Sequence, residues 1–261
     1  MATTQKVEDL IRSISKGEFF LPEFQRGYVW SADQVKKYFQ SLYSGYPTGS
    51  FLLWKSEEPI KTKGSDTPDT DGSKLLILDG QQRLTTLYTM MKGTTPAWFE
   101  GKSIRTDLYF NLVTQEFQYY QKTLMEGKSE WINVATFLQK GMVEFVKQCG
   151  AGTSKYLTDH FDKFAQLESI HKYDYYIQEI NEQEPDKVVD IFNLVNSEGT
   201  RLSKTDLSLA LVTSRWDECK ESIRNASDKY SKRGRCRTLH NREKQIGGFR
   251  ENFWPRRSFP E

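Results

Sequence analysis

The sequence is poor in the groups from which most metal and nucleophilic centres are built. Of 261 residues only 3 are cysteine and 3 are histidine. Cys149, Cys219 and Cys236 are odd in number, far apart and never in C-x-x-C spacing, which argues against a disulfide framework and a zinc knuckle. His160, His171 and His240 are scattered, with no H-E-x-x-H or zinc spacing, so His-based nuclease chemistry is not visible. No G-x-S-x-G occurs, which removes a nucleophile elbow. G-K-S stands at Gly101–Ser103 and Gly127–Ser129, but a phosphate loop needs a glycine five positions earlier. Those positions hold Pro96 and Lys122. No apolar run approaches the roughly 18–20 residues of a membrane span, and the N-terminal MATTQKVEDL has no apolar signal core. These absences point to a reducing, cytoplasmic protein with no membrane partner.

Aromatic side chains are plentiful: 16 Phe, 13 Tyr and 6 Trp. That is enough apolar surface for a real core, in one large or two small domains. Charge is nearly balanced, with 37 Lys or Arg against 35 Asp or Glu. The balance conceals an asymmetry. Tyr230–Glu261 carries nine basic and three acidic residues, which leaves 28 basic against 32 acidic before it, a net of −4. The basic character therefore comes from the tail, and the body is a poor candidate for non-specific DNA binding. Residues 230–261 also lose apolar periodicity. The expectation is an aberrant segment not native to the fold, from truncation or frameshift; the alternative is an authentic basic arm for nucleic acid.

Along the chain, Val7, Leu10, Ile11 and Ile14 fall at helical spacing within residues 5–16. Pro22 makes the following FFLPEFQRGYVW extended rather than helical. Ser31 is placed to cap a helix whose apolar face is Val35, Tyr38, Phe39 and Leu42, stopped by Gly45 and Pro47. GSFLLW and LLILD read as buried strands, separated by a polar loop over 55–74. QQRLTTLYTMM is helical, and residues 107–113 with 117–121 read as a hairpin. Helices are expected near 133–148, 154–170 and 186–196, with a strand at 173–180. Ser203 and Asp206 form a capping box that opens a last helix. The expected class is α+β: a mixed α/β region over 1–121, a mainly helical region with one strand over 122–229, and the tail.

The chemistry concentrates at LLILDGQQRLTTLY. A strand ends at Asp79, Gly80 follows and a helix begins at once, leaving unpaired N–H groups suited to an anion. Gly80 lets backbone approach that anion, and Arg83 one turn in offers a bidentate fork to phosphate oxygens. Gln81 and Gln82 add donors and acceptors, and Asp79 could hold a metal or orient water. The structural alternative is a capping box, with Asp79 as N-cap and Gln82 at N3. LPEFQRGYVW sets Gln25 and Arg26 between Phe24, Tyr28 and Trp30, as a binding element or as a loop pinned by aromatics. In FNLVNSEGTRLS, Asn193 and Asn196 share a helical face, and Asn196 also suits a C-cap. Trp30, Tyr46 and Trp54 are either base-stacking candidates or core.

FQRGYVW, LDGQQRLTTL and FNLVNSEGTRLS together resemble the N-terminal domain of GmrSD-type modification-dependent restriction endonucleases, over about residues 5–215. The resemblance implies a ParB/sulfiredoxin-like fold in which a strand–glycine–helix turn holds nucleotide phosphates. That role falls here on Asp79, Gly80, Gln81, Gln82 and Arg83, with Gln25 and Arg26 as the upstream element and Asn193 and Asn196 in the third phrase. It implies a nucleoside triphosphate with Mg²⁺ at Asp79, catalysis by Asp79, Gln81 and Arg83, and a role in phage defence. The family's usual His-based nuclease motif is missing, so cleavage is expected from another domain or subunit. Two functions remain open: a Mg²⁺-dependent NTPase that licenses a nuclease, or a non-enzymatic ParB-like sensor or clamp for nucleotide or modified DNA. An oligomer is compatible with either.

Overall fold

A computed structural model describes residues 2–23, 25–57, 60–64, 74–148 and 158–195. The expected features at 196–261, including the capping box at Ser203 and the basic tail, lie outside the described residues, as do the three cysteines. The architecture is α+β, the expected class. The chain divides into two compact units that interleave in sequence. The first comprises residues 1–18, 27–52 and 80–178; the second comprises 19–26, 53–79 and 179–261.

In the first unit, β1 (Ala2–Lys6) runs antiparallel to β8 (Asp174–Ile180), with Ala2 opposite Gln178 and Lys6 opposite Asp174. α1 (Val7–Ser15) buries the four apolar residues that periodicity selects. α2 (Ala32–Tyr43) starts with the expected N-cap. The Ser31 hydroxyl accepts from the Gln34 amide, and the Gln34 side chain accepts from the Ser31 amide. α3 (Gln81–Lys92) is buried along most of its surface, polar residues included, so Gln81, Gln82, Thr85, Thr86 and Thr89 lie in the interior. Buried hydroxyls need partners. Thr86 donates to the Gln82 carbonyl, Thr89 donates to the Thr85 carbonyl, and the Thr85 hydroxyl receives the Trp98 indole N–H.

The hairpin forms as β5 (Leu108–Asn111) with β6 (Phe117–Tyr119), and β7 (Trp131–Asn133) joins the far side of β5. α4 (Lys122–Met125) is a single turn. α5 (Val134–Gln148) is interrupted at Gly141, where φ is +73°. Phe137 packs on Phe164 of α6 (Phe161–Glu168) with centroids 5.5 Å apart. A 3₁₀ turn (Ser169–Lys172) leads into β8.

In the second unit, β2 (Phe19–Phe20) pairs in parallel with β4 (Lys74–Asp79), Phe19 opposite Leu75. Leu53–Ser56, the latter part of β3 (Phe51–Ser56), also belongs here. The Trp54 ring is fully buried, and its N–H donates to the Glu182 carbonyl. α7 (Pro185–Val195) buries Val188, Val189 and Phe192.

Two strands have no counterpart in the sequence pattern. β1 is largely exposed, so ATTQK carries no apolar alternation, and β7 is too short to show one. Ser31→Ala should lower stability by about 0.5–2 kcal/mol, because the Gln34 amide at the start of α2 loses its hydroxyl acceptor. Urea denaturation with an unchanged slope would measure it.

Candidate functional site

The segment that ends β4 and begins α3 forms as a strand–glycine–helix junction. Gly80 occupies the N-cap position at φ +92°, a conformation that costs side-chain-bearing residues energy. A Cβ at this position would overlap the Phe51 ring, so packing as well as backbone selects glycine. As the N-cap, Gly80 has no side chain to close the start of α3. The capping-box alternative therefore does not form, because Gly80 rather than Asp79 is the N-cap and the Gln82 side chain is engaged elsewhere.

Gln82 holds the FQRGYVW segment. Its Oε1 accepts the amides of Val29 at 2.9 Å and Trp30 at 3.3 Å, and its Nε2 donates to the Gly27 carbonyl at 3.2 Å. A single amide side chain thus satisfies three main-chain groups of a non-repetitive segment, which could not satisfy them by itself. Tyr28 anchors the same stretch: its amide donates to the Glu100 carbonyl, and its hydroxyl lies 2.9 Å from the Thr86 hydroxyl. Burial raises the Tyr28 phenol above its ordinary range. Trp30 packs edge-on against Tyr38 at 5.2 Å. In the second unit, Gln25 donates from Nε2 to the Leu78 carbonyl at 2.8 Å, one residue before Asp79. Arg26 is exposed and Asp79 is half-buried. Phe24 and Asn196 lie outside the described residues; Asn193 is half-buried on α7.

Arg83 is turned toward the turn before β3. Its Nη1 donates to the Thr48 carbonyl and its Nη2 donates to the Ser50 carbonyl at 2.8 Å. The guanidinium also lies 5.1 Å from the centroid of Phe51, within cation–π range. Gly49, at φ +87°, lies between the two accepting residues, and a Cβ there would run into Nη1.

A row of hydroxyls ends on the same turn. Tyr38 and Tyr175 are 2.6 Å apart, and the Thr48 hydroxyl is 2.7 Å from Tyr175 and 3.3 Å from Tyr173. The Tyr173 hydroxyl donates to the Tyr46 carbonyl at 2.9 Å. Thr48 has one hydroxyl hydrogen for two phenol oxygens, and the shorter contact, to Tyr175, is the better bond. Sequence reasoning missed Thr48, Gly49, Tyr173 and Tyr175. The only signal was GYPTGS itself, where Gly45 and Pro47 read simply as the end of a helix.

Trp54 belongs to the core, whereas Tyr46 is 63% exposed. Among the described residues, no group of three or more His, Cys, Asp and Glu gathers to hold a metal, and no helix is long and apolar enough to cross a membrane.

An α+β domain in which a strand passes through a left-handed glycine directly into a helix defines the class. Residues 7–213 match the family model for the GmrSD restriction endonuclease N-terminal domain, and the chain belongs to that family, a module of restriction systems. It is also 26% identical to the uncharacterized protein MJ0686 of Methanocaldococcus jannaschii, over 79% of this chain and 41% of that protein. The chain therefore spans about two fifths of that curated relative's length.

Two outcomes are expected. Gln82→Ala should destabilise the fold by about 1–3 kcal/mol, because the Val29 and Trp30 amides lose their acceptor; denaturant melts of the variant against wild type measure this. Burial pushes Tyr175 up to about 12 and raises Tyr38 well above its ordinary value of 10.0. The unfolded chain ionises these phenols first, so stability is intact below pH 10 and falls as pH rises toward about 12. Tyrosinate absorbance followed alongside unfolding midpoints would show that window.

Proposed function

We propose that this domain binds and hydrolyses a nucleoside triphosphate to regulate DNA cleavage in a restriction system, the cutting being done by a separate nuclease domain or subunit. Modified DNA is the proposed signal that the system reads. The observation that carries the reading is the start of α3: a 12-residue helix that follows a strand directly through a left-handed glycine at its N-cap. Such a start presents main-chain N–H groups and the positive end of the helix dipole, which suits phosphate. Membership of the restriction family supports a nucleotide-controlled role for it.

In this reading the Gly80 and Gln81 amides bind phosphate oxygens, and Gln82 keeps the adjoining segment in place. Gln25 and Arg26 contact the nucleotide from the FQR phrase, as do Asn193 and Asn196 from the third. Mg²⁺ is ordinarily held by one or two carboxylates together with substrate phosphates. A single half-buried carboxylate at the end of β4, Asp79, fits that donor set. The metal would supply neutralisation of charge on the phosphate oxygens. Asp79 and Gln81 then orient the attacking water, and the preorganised amides stabilise the charge that develops.

One observation favours a second reading, a non-enzymatic nucleotide or modified-DNA sensor. The Arg83 fork engages two main-chain carbonyls, which suits a conformational role better than chemistry on a phosphate.

Calorimetry with ATP and GTP in Mg²⁺, paired with a phosphate-release assay, tests both. Binding with slow Mg²⁺-dependent release that Asp79→Ala abolishes, with melting unchanged, is the expected result. Binding without release over hours selects the sensor. No binding of either nucleotide, with or without DNA, would sink the NTPase and the nucleotide sensor alike.

A further inference from the structure

The Tyr46–Ser50 turn is unusual in being exposed at Tyr46, Pro47 and Gly49 and yet tied down from beneath. An exposed turn ordinarily leaves its carbonyls to water. Here the carbonyls of Tyr46, Thr48 and Ser50 all accept bonds from protein side chains: Tyr173 on the first, and Arg83 on the other two. The Thr48 side chain is held as well, by Tyr175, which is itself bonded to Tyr38 of α2. Arg83 of α3, Tyr173 and, from β8, Tyr175 thus converge on five residues, with Tyr38 of α2 one bond further back.

The geometry at Arg83 is specific to a guanidinium. The two carbonyls it bridges are two residues apart, and one planar fork reaches both while its face packs on Phe51. An ammonium, being a point charge on a flexible stem, could satisfy one carbonyl but could not bridge both and stack. The close fit at Gly49 belongs to the same arrangement, since any side chain there would displace the fork.

We propose that Arg83 is a positioning residue, which shapes the nucleotide site by clamping the Thr48–Ser50 turn through its carbonyls and does not itself touch phosphate. The inference rests on the nucleotide-binding reading for its effect on affinity, and on this turn for its mechanism. Gly49 is the informative partner. Glycine has no side chain with which to contact a ligand, so Gly49→Ala can act on binding only through the turn.

The test uses the full chain, with ATP and AMP, each with Mg²⁺, as the probes. Arg83→Gln, Arg83→Lys and Gly49→Ala are each expected to weaken both nucleotides by a similar factor, on the order of tenfold. The double variant Gly49→Ala/Arg83→Gln should be no worse than either single variant, because both remove one unit. The ratio of ATP to AMP affinity should stay at the wild-type value. Direct phosphate contact predicts the reverse: Lys would restore binding, the ratio would collapse for Arg83→Gln, and Gly49→Ala would leave it intact. Any of those three results overturns the proposal. Amide hydrogen exchange separates this failure from that of the nucleotide reading. If wild type binds neither nucleotide, that reading falls, while faster exchange confined to residues 48–51 in Arg83→Lys still supports the clamp. Unchanged exchange there overturns it, and Tyr173→Phe, which loosens the same turn without altering charge, serves as the folded control expected to exchange faster.

Discussion

The Phe51 ring is the constraint around which the first unit's polar features are arranged. It is fully buried, it fills the space where a side chain at position 80 would project, and it offers its face to the Arg83 guanidinium. Its centroid also lies 4.4 Å from that of Tyr175, in a tilted arrangement favourable for aromatic pairs. The glycine of the DGQQR phrase, the orientation of its arginine and the placement of a buried phenol therefore share one cause. A smaller residue at 51 would leave all three without a template.

The two glutamines of the sequence phrases perform parallel tasks at a distance from each other in sequence. Gln25 reaches the carbonyl of Leu78, and Gln82 reaches the carbonyl of Gly27 and the amides of Val29 and Trp30. Each phrase thus supplies a side chain that completes main-chain hydrogen bonding in the other phrase's neighbourhood. An amide suits this because it donates and accepts from one planar group, whereas a carboxylate offers no donor to a carbonyl. What reads in the sequence as functional polarity is, at these two positions, also the means by which non-repetitive backbone is kept out of disorder.

Elements with strong periodicity are legible in the sequence. α1 and the Ser31 capping box follow from apolar spacing and cap chemistry, and β3, β4 and the hairpin from apolar runs between turn residues. The break in α5 at Gly141 is not, because a single glycine inside an apolar pattern does not announce the sign of its φ. The same limit applies to the site. The strand–glycine–helix junction is written locally and forms where expected, but the partners of its side chains are 33 to 55 residues away. Spacing within a phrase cannot reveal a bond between Arg83 and a carbonyl at position 48, since every residue type offers that carbonyl. Tyr173 and Tyr175 are equally hidden, as alternation in YDYYIQEI marks a strand without saying which phenols meet a threonine.

The interleaving of the two units has a consequence for heredity. The polypeptide passes from one unit to the other five times, and one passage falls between Asp79 and Gly80. Neither unit corresponds to a continuous stretch of coding sequence, so gene shuffling cannot lift out one without shredding the other. Lineages that gain, lose or exchange this module must inherit it whole, with the DGQQR phrase as the stitch common to both halves.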